Sequence, residues 1–188
     1  MRKLVCLTLF ALFAATFVSC AGNLPDQAEK TPKPRINIGN MTVEVHHSIP
    51  STPNLTQYCG DYQSFGKEPG TQTFECEVPL IPRMQIGFGW GAKDTTLRDS
   101  NWSAMIWELY IDEVQINLDE FEQWNMSGQD TAGHQAEGRG WWLDLVNLSP
   151  GKHTLRLLWK SETPIDDGFD IYAPGTYENI VNFTVLEH

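Results

Sequence analysis

Thr154-Leu155-Arg156-Leu157-Leu158-Trp159-Lys160 puts Leu155, Leu157 and Trp159 on one side of an extended chain and Thr154, Arg156 and Lys160 on the other. Successive side chains of a strand point to opposite faces, so this period of two marks a strand buried on one face. The pattern recurs in both directions along the chain. Val43, Val45 and Ile49 share a face, as do Met84, Ile86, Phe88 and Trp90, and Trp107, Leu109 and Ile111 lie opposite Glu108 and Tyr110. Trp141, Leu143 and Leu145 alternate with Trp142 and Asp144, and Val181, Phe183 and Val185 with Asn182 and Thr184. Strands wetted on one side belong to antiparallel sheets packed face to face. Turn-forming residues separate the runs, at Pro50–Pro53, Pro79–Pro82, Asp112-Glu113, Ser149-Pro150-Gly151, Asp166–Gly168 and Pro174-Gly175. No segment sustains a helical period, although Asp119–Trp124 suits one short helical turn, and no internal repeat is present. The expectation is an all-β chain forming a single antiparallel β-sandwich.

The N-terminus has a different character. Arg2-Lys3 precedes an uncharged apolar stretch from Leu4 to Val18, and then Ser19-Cys20-Ala21-Gly22. That order is a signal for export. About 15 apolar residues fall short of the roughly 20 that a membrane-spanning helix needs. Phe17-Val18-Ser19-Cys20 resembles the lipobox of bacterial lipoproteins, with Phe17 standing where Leu is usual. The resemblance implies that Cys20 becomes a lipid-bearing N-terminus and that the membrane is a partner, at the cell surface or the outer membrane. Multiple acyl chains make such an anchor stable. Ordinary cleavage after Ala21 is the alternative, and it gives a soluble secreted protein. The polar stretch from Asn23, with Pro25, Pro32 and Pro34, reads as a tether. The expected organisation is a signal peptide at 1–19, a lipid-anchored tether at 20–38 and a β-sandwich domain at 39–188.

Leu148-Ser-Pro-Gly-Lys-His-Thr-Leu-Arg-Leu-Leu-Trp159 resembles a late strand of immunoglobulin-like and fibronectin-like bacterial sandwiches, in which a Pro-Gly turn leads into a His-x-Leu-x-Leu strand. Asn182-Phe183-Thr184-Val185 fits the closing strand of the same architecture. The chain is therefore similar to bacterial lipoproteins carrying an immunoglobulin-like domain. That likeness implies a fold and transfers no function.

Net charge is −11, and loss of Arg2 and Lys3 with the signal makes it −13. Such a chain repels phosphate backbones and anionic lipid headgroups, so nucleic acid is not an expected partner. Cys6 lies in the signal and Cys20 is lipidated or removed, which leaves Cys59 and Cys76. Outside the cytosol this pair is expected to form a disulfide, worth on the order of 3 kcal/mol by loop entropy. Six of the ten Asn residues begin an Asn-x-Ser/Thr triplet: Asn40, Asn54, Asn101, Asn125, Asn147 and Asn182. Chance gives about one, so a secreted N-glycosylated protein is a further alternative.

Gly87-Phe88-Gly89-Trp90-Gly91 lacks the following helix that a phosphate-binding loop requires. Its glycines fall on the face opposite Phe88 and Trp90, as expected for a bulge or a close backbone approach. Of seven Trp, Trp90, Trp107, Trp141 and Trp159 are in the apolar phase of their strands and are expected in the core. Trp102, Trp124 and Trp142 are out of phase or in predicted loops. Indoles of that kind on a rigid sheet stack on sugar rings or make protein contacts. Asp99, Asn101, Gln123 and Asn125 lie near them in sequence as hydrogen-bonding partners. Asp166, Asp167 and Asp170 are three carboxylates in one turn, and calcium is the cation such hard oxygen ligands would take. The other reading of that turn is a solvated acidic loop. His46 and His47 face opposite sides of a strand, His153 is placed to bond backbone, and His134 and His188 are isolated. Neither Gly-x-Ser-x-Gly nor His-Glu-x-x-His is present. The expected function is a non-catalytic cell-surface lipoprotein acting as a binding or structural module, with another surface protein or a glycan as partner. A carbohydrate-binding module using the three out-of-phase Trp residues is the first alternative.

Overall fold

The computed structural model describes residues 33–46, 52–129 and 133–187. Two five-stranded sheets carry the chain. Sheet A comprises β1 (Arg35–Ile38), β2 (Met41–Val45), β8 (Gln135–Val146) and β4 (Arg83–Ala92) in that order, with β7 (Trp124–Gln129) also paired to β8. Sheet B runs β3 (Gly70–Pro79), β12 (Gly175–Leu186), β9 (Gly151–Ser161), β5 (Ile106–Ile111) and β6 (Val114–Ile116). A short ribbon of β10 (Ile165–Asp166) and β11 (Ile171–Tyr172) pairs separately. The all-β sandwich expected from the alternation is the observed fold.

The alternation also assigns the inner faces correctly. Val43, Val45, Met84, Ile86, Phe88, Trp141, Leu143 and Leu145 of sheet A are buried, as are Leu109, Ile111, Leu155, Leu157, Val181, Phe183 and Val185 of sheet B. Each such side chain stabilises the fold by roughly 1.5–3 kcal/mol through removal from water. Ile49 and His47 fall outside the described residues. A second group centres on Trp90, Trp159, Tyr177, Met105 and Ile165, with Trp102, Trp107, Phe65 and Tyr172 packed against it. Trp159 stacks on Tyr177 with ring centroids 4.0 Å apart.

Three features differ from expectation. The pair β3–β12 is parallel, with Gly70 opposite Tyr177 and Pro79 opposite Leu186, whereas every other pairing between named strands is antiparallel. The first strand begins at Arg35, inside the stretch read as tether. Ile36 and Ile38 pack on the core there, and Gly39 (φ 58°) turns the chain into β2. A helix, α2 (Thr95–Ala104), stands where no helical period is visible. Its start is fixed by the Asp94 side chain, which accepts from Leu97 N at 2.9 Å as an N-cap.

The expected disulfide is present. Cys59–Cys76 joins α1 (Thr56–Cys59) to β3, with Cα atoms 5.1 Å apart. It anchors an edge strand whose first half is exposed. Asp112 (φ 47°) and Glu113 (φ 65°) form the two-residue turn between β5 and β6, the geometry that matches strand twist. The Asp112 carboxylate also takes Thr154 N at 2.9 Å and His153 Nδ1 at 2.7 Å, which ties this turn to β9.

Candidate functional site

Side chains on the outer face of sheet A divide it in two. Near the β1 end, Glu44 on β2 and Asp144 on β8 are buried and converge on Arg83 of β4, at 2.6 and 2.5 Å. Arg35 adds a bond to Glu44 at 3.0 Å, and His46 Nδ1 meets Asp144 at 2.8 Å. Burial alone would lower the Arg83 pKa, but its bonds to Asp144 and Glu44 reverse that and raise it. Two buried carboxylates thus share one guanidinium, with Arg35 as a second cation on Glu44, and this half is closed.

The other half is cleared of side chains. The unbroken register of β4 against β8 places Gly87 beside Trp142, Gly89 beside Gly140 and Gly91 beside Gly138. On the far edge of β8, Trp124, Met126 and Gly128 of β7 continue these rows against Gly140, Gly138 and Ala136. Trp142 lies across Gly87, where an added Cβ would sit 2.6 Å from its ring. Met126 lies across Gly138 in the same way, at 2.8 Å. At Gly89 and Gly140 the strands approach so closely that a Cβ on either would be 2.2 Å from the opposing carbonyl oxygen. This is the close approach that the sequence suggests, achieved without a bulge. Gly91 and Gly128 face open space.

The result is a trough. Its central hollow of about 280 Å³ runs over Gly87–Gly91 between Trp142 and Met126. A second hollow, also about 280 Å³, is lined by His46, Gln85, Trp124 and Trp142. A third of about 660 Å³ opens where Gly89, Trp90 and Gly91 meet Asp61, Phe65 and Tyr172. Residues 61–65 are held in place as its far wall by the buried Asn179 of β12, whose Nδ2 donates to Tyr62 O at 2.8 Å and to Ser64 O at 2.9 Å.

The third hollow borders a sheet edge with unpaired backbone. Gln85 N donates to Pro53 O at 2.8 Å and Gln85 O accepts from Leu55 N at 2.9 Å, so odd-numbered residues of β4 direct their backbone groups away from β8. Gly87 O accepts from Gln63 Nε2, and Lys93 N donates to Asp167 O at 2.7 Å. Between these, the N–H and C=O groups of Gly89 and Gly91 point outward with no partner among the described residues.

Trp124 and Trp142 come together around one hollow. Trp124, 40% exposed, is presented at the start of β7. Trp102 does not join them. It sits on α2, half-buried, 4.9 Å from Trp141 and 5.7 Å from Trp107, with Arg139 over its ring at 5.8 Å. It packs against the core, because α2 turns it inward where a loop would have left it out. Asn101 on the same helix is buried too, donating to Asp166 O at 2.9 Å, and a glycan has no room there. Asn125 lies on β7, exposed, and accepts from Arg139 Nε at 3.0 Å.

The acidic turn is occupied with its own backbone. Asp166 Oδ1 accepts from Gly168 N at 2.8 Å, and Asp167 Oδ1 accepts from Phe169 N and Asp170 N, each at 2.7 Å. Asp170 pairs with Lys67 at 2.5 Å. Among the described residues no group of three or more His, Cys, Asp or Glu is placed to hold a metal ion. Burial, and then the charges of Asp167 and Asp170, push the Tyr172 hydroxyl pKa up. His153 bonds backbone as expected, with Nε2 2.9 Å from Ser149 O, and stacks on Phe183. Gly128, Gly138, Gly140, Met126 and Gln63 belong to the site and escape the sequence reading. The alternation of Gly138-Arg139-Gly140, echoing Gly87-x-Gly89-x-Gly91, is the signal that could have found the glycines.

No helix among the described residues is long and apolar enough to cross a membrane. Neither a family model nor a curated protein matches the chain. Two solved structures are similar to it. One is a chain in the structure of PbICP-C in complex with falcipain-2, at 14% identity and TM-score 0.31, covering 65% of this chain and 95% of that one. The other is the cysteine protease inhibitor EhICP2 from Entamoeba histolytica, at 11% identity and TM-score 0.29, covering 63% of this chain and 96% of that one. Likenesses of this size carry no inference about function.

Proposed function

We propose that the chain is a non-catalytic binding module of an exported protein, tethered to a membrane through lipid on Cys20, and that its ligand is a carbohydrate chain lying in the trough on sheet A. One observation carries the reading: the six-membered ring of Trp142 lies over Gly87 on the outer face of a rigid sheet, at the junction of two hollows. An indole held in that way offers an aromatic face to the C–H side of a pyranose ring. Gln63, Gln85 and Gln129 stand along the trough as uncharged partners for hydroxyl groups. Trp124 extends the aromatic surface toward His46.

The test is titration of the full chain with a glycan panel, followed by tryptophan fluorescence. A saturable shift is expected, and Trp142→Ala should remove it while the melting temperature falls by no more than about 4 °C. Trp124→Ala should weaken binding by a smaller factor. A panel without response, or binding that survives Trp142→Ala, refutes the carbohydrate reading.

A further inference from the structure

The β4 edge opposite β8 is unusual because it is closed at both ends and open in the middle. Pro53, Leu55 and Gln63 satisfy its start, and Asp167 O takes Lys93 N at its end. Among the described residues, Gly89 and Gly91 have neither their outward N–H nor their outward C=O paired, whereas Gly87 O is taken by Gln63. A Cβ at Gly91 would meet nothing within 4 Å, so the outer face of the sheet is clear there, and the edge itself borders the hollow of about 660 Å³. Across it stands the wall of residues 61–65. Asp61 Oδ2 already accepts from Ser64 Oγ at 2.5 Å, and its other carboxylate oxygen remains an acceptor. Phe65 and Tyr172 supply apolar surface within the same hollow.

A trans amide directs its C=O and its N–H to opposite sides. It therefore suits a cleft with donors on one wall and an acceptor on the other. Here the donors are the backbone N–H groups of Gly89 and Gly91, and the acceptor is the Asp61 carboxylate. The hollow is continuous with the Trp142 platform, since both the central hollow and this one are lined by Gln63, Gly89, Trp90 and Gly91. An occupant of both parts has a flat C–H face and a secondary amide. Resting on the carbohydrate reading above, we infer that the ligand is an N-acetylated hexosamine chain, one ring stacked on Trp142 and the acetamido group of a neighbouring ring docked at the free β4 edge. The acetamido C=O accepts from a glycine N–H, its N–H donates to Asp61, and its methyl lies toward Phe65 and Tyr172.

The experiment is calorimetric titration of the full chain with chitohexaose, cellohexaose and an extended alanine-rich peptide. Chitohexaose should bind roughly tenfold more tightly than cellohexaose, the discrimination expected from about one net hydrogen bond that one ligand makes and the other lacks. Gly91→Pro removes one outward N–H at a position where the β4–β8 ladder does not need it, and should bring the two glycans to parity. Gly91→Ala retains the N–H in open space and should preserve the preference, which separates loss of the donor from loss of fold. Equal binding of both glycans by the unaltered chain overturns this inference and leaves the carbohydrate reading standing. Binding of neither overturns both. Tighter binding of the peptide than of either glycan also overturns it, in favour of strand addition at the same edge.

Discussion

The two halves of the outer face of sheet A share strands, register and twist, yet one is closed and the other open. Where β4 and β8 carry Arg83 and Asp144, long charged side chains reach Glu44 and one another, leaving Asp144 with no exposed surface. Where the same strands carry Gly87, Gly89, Gly91, Gly138 and Gly140, backbone itself is the surface. The closed half fastens β2, β4 and β8 together. The open half relies on that fastening, because a glycine-rich strand pair loses more conformational freedom on folding and packs fewer side chains. Side-chain size along two strands thus separates a structural region from a binding region without any change in topology.

The comparison can be broken from either side. The largest effect is expected on the closed half. Arg83→Met leaves the buried Asp144 without its arginine and Glu44 with Arg35 alone, and denaturant unfolding should report a loss of about 3–5 kcal/mol. If stability changes by under about 1 kcal/mol, the guanidinium is not what holds this half shut. Next comes the crowded part of the open half. Gly89→Ala sets a methyl against the Arg139 carbonyl, and should destabilise by roughly 1–3 kcal/mol, while Gly91→Ala should stay within about 0.5 kcal/mol. Equal effects at the two glycines would remove the distinction between close approach and open floor.

The smallest effect lies on the outer face of sheet B, which is laced with ion pairs that remain partly wet. Hydrogen bonds from Lys160, at 2.8 Å, and then from Tyr110, at 2.7 Å, hold the Glu108 carboxyl below the ordinary carboxylate range against a smaller opposing effect of burial. A carboxylate whose folded pKa is depressed contributes stability above its unfolded pKa. That contribution is lost as pH falls through the folded value. Thermal melts of Glu108→Gln should therefore show a shallower decline on acidification below about pH 4 than the unaltered chain, with little difference in slope near neutrality. An identical acid limb in both would show that this pair contributes nothing beyond its solvent-screened attraction.

The inner faces of the sandwich were legible because water imposes them residue by residue. Val43, Leu143, Leu157 and Val181 alternate with polar neighbours, and all four are buried. The helix α2 was hidden because its buried residues, Arg98 and Asn101, are polar, so no apolar stripe marks it. That helix is also what packs Trp102 against the core. Parallel pairing of β3 with β12 was hidden for another reason: the partners lie about a hundred residues apart, and neither strand's own pattern specifies a neighbour. Half of the trough was visible in the glycines of β4. The other half depends on register, which sets Gly138 and Gly140 beside them and turns separate glycine runs into one surface.

The position of β12 has a consequence for the order of events in synthesis. It follows every other described strand in the chain, yet it lies between β3 and β9 and hydrogen-bonds to both. Until Gly175–Leu186 emerges, β3 has no strand to pair with, and Leu155 and Leu157 lack the Val181 and Phe183 that complete their layer. Sheet B therefore cannot close from its N-terminal side as the ribosome proceeds, and pairings so distant in sequence form slowly. A nascent chain of this design keeps sheet B incomplete until its last described strand emerges, a state that suits the export proposed above.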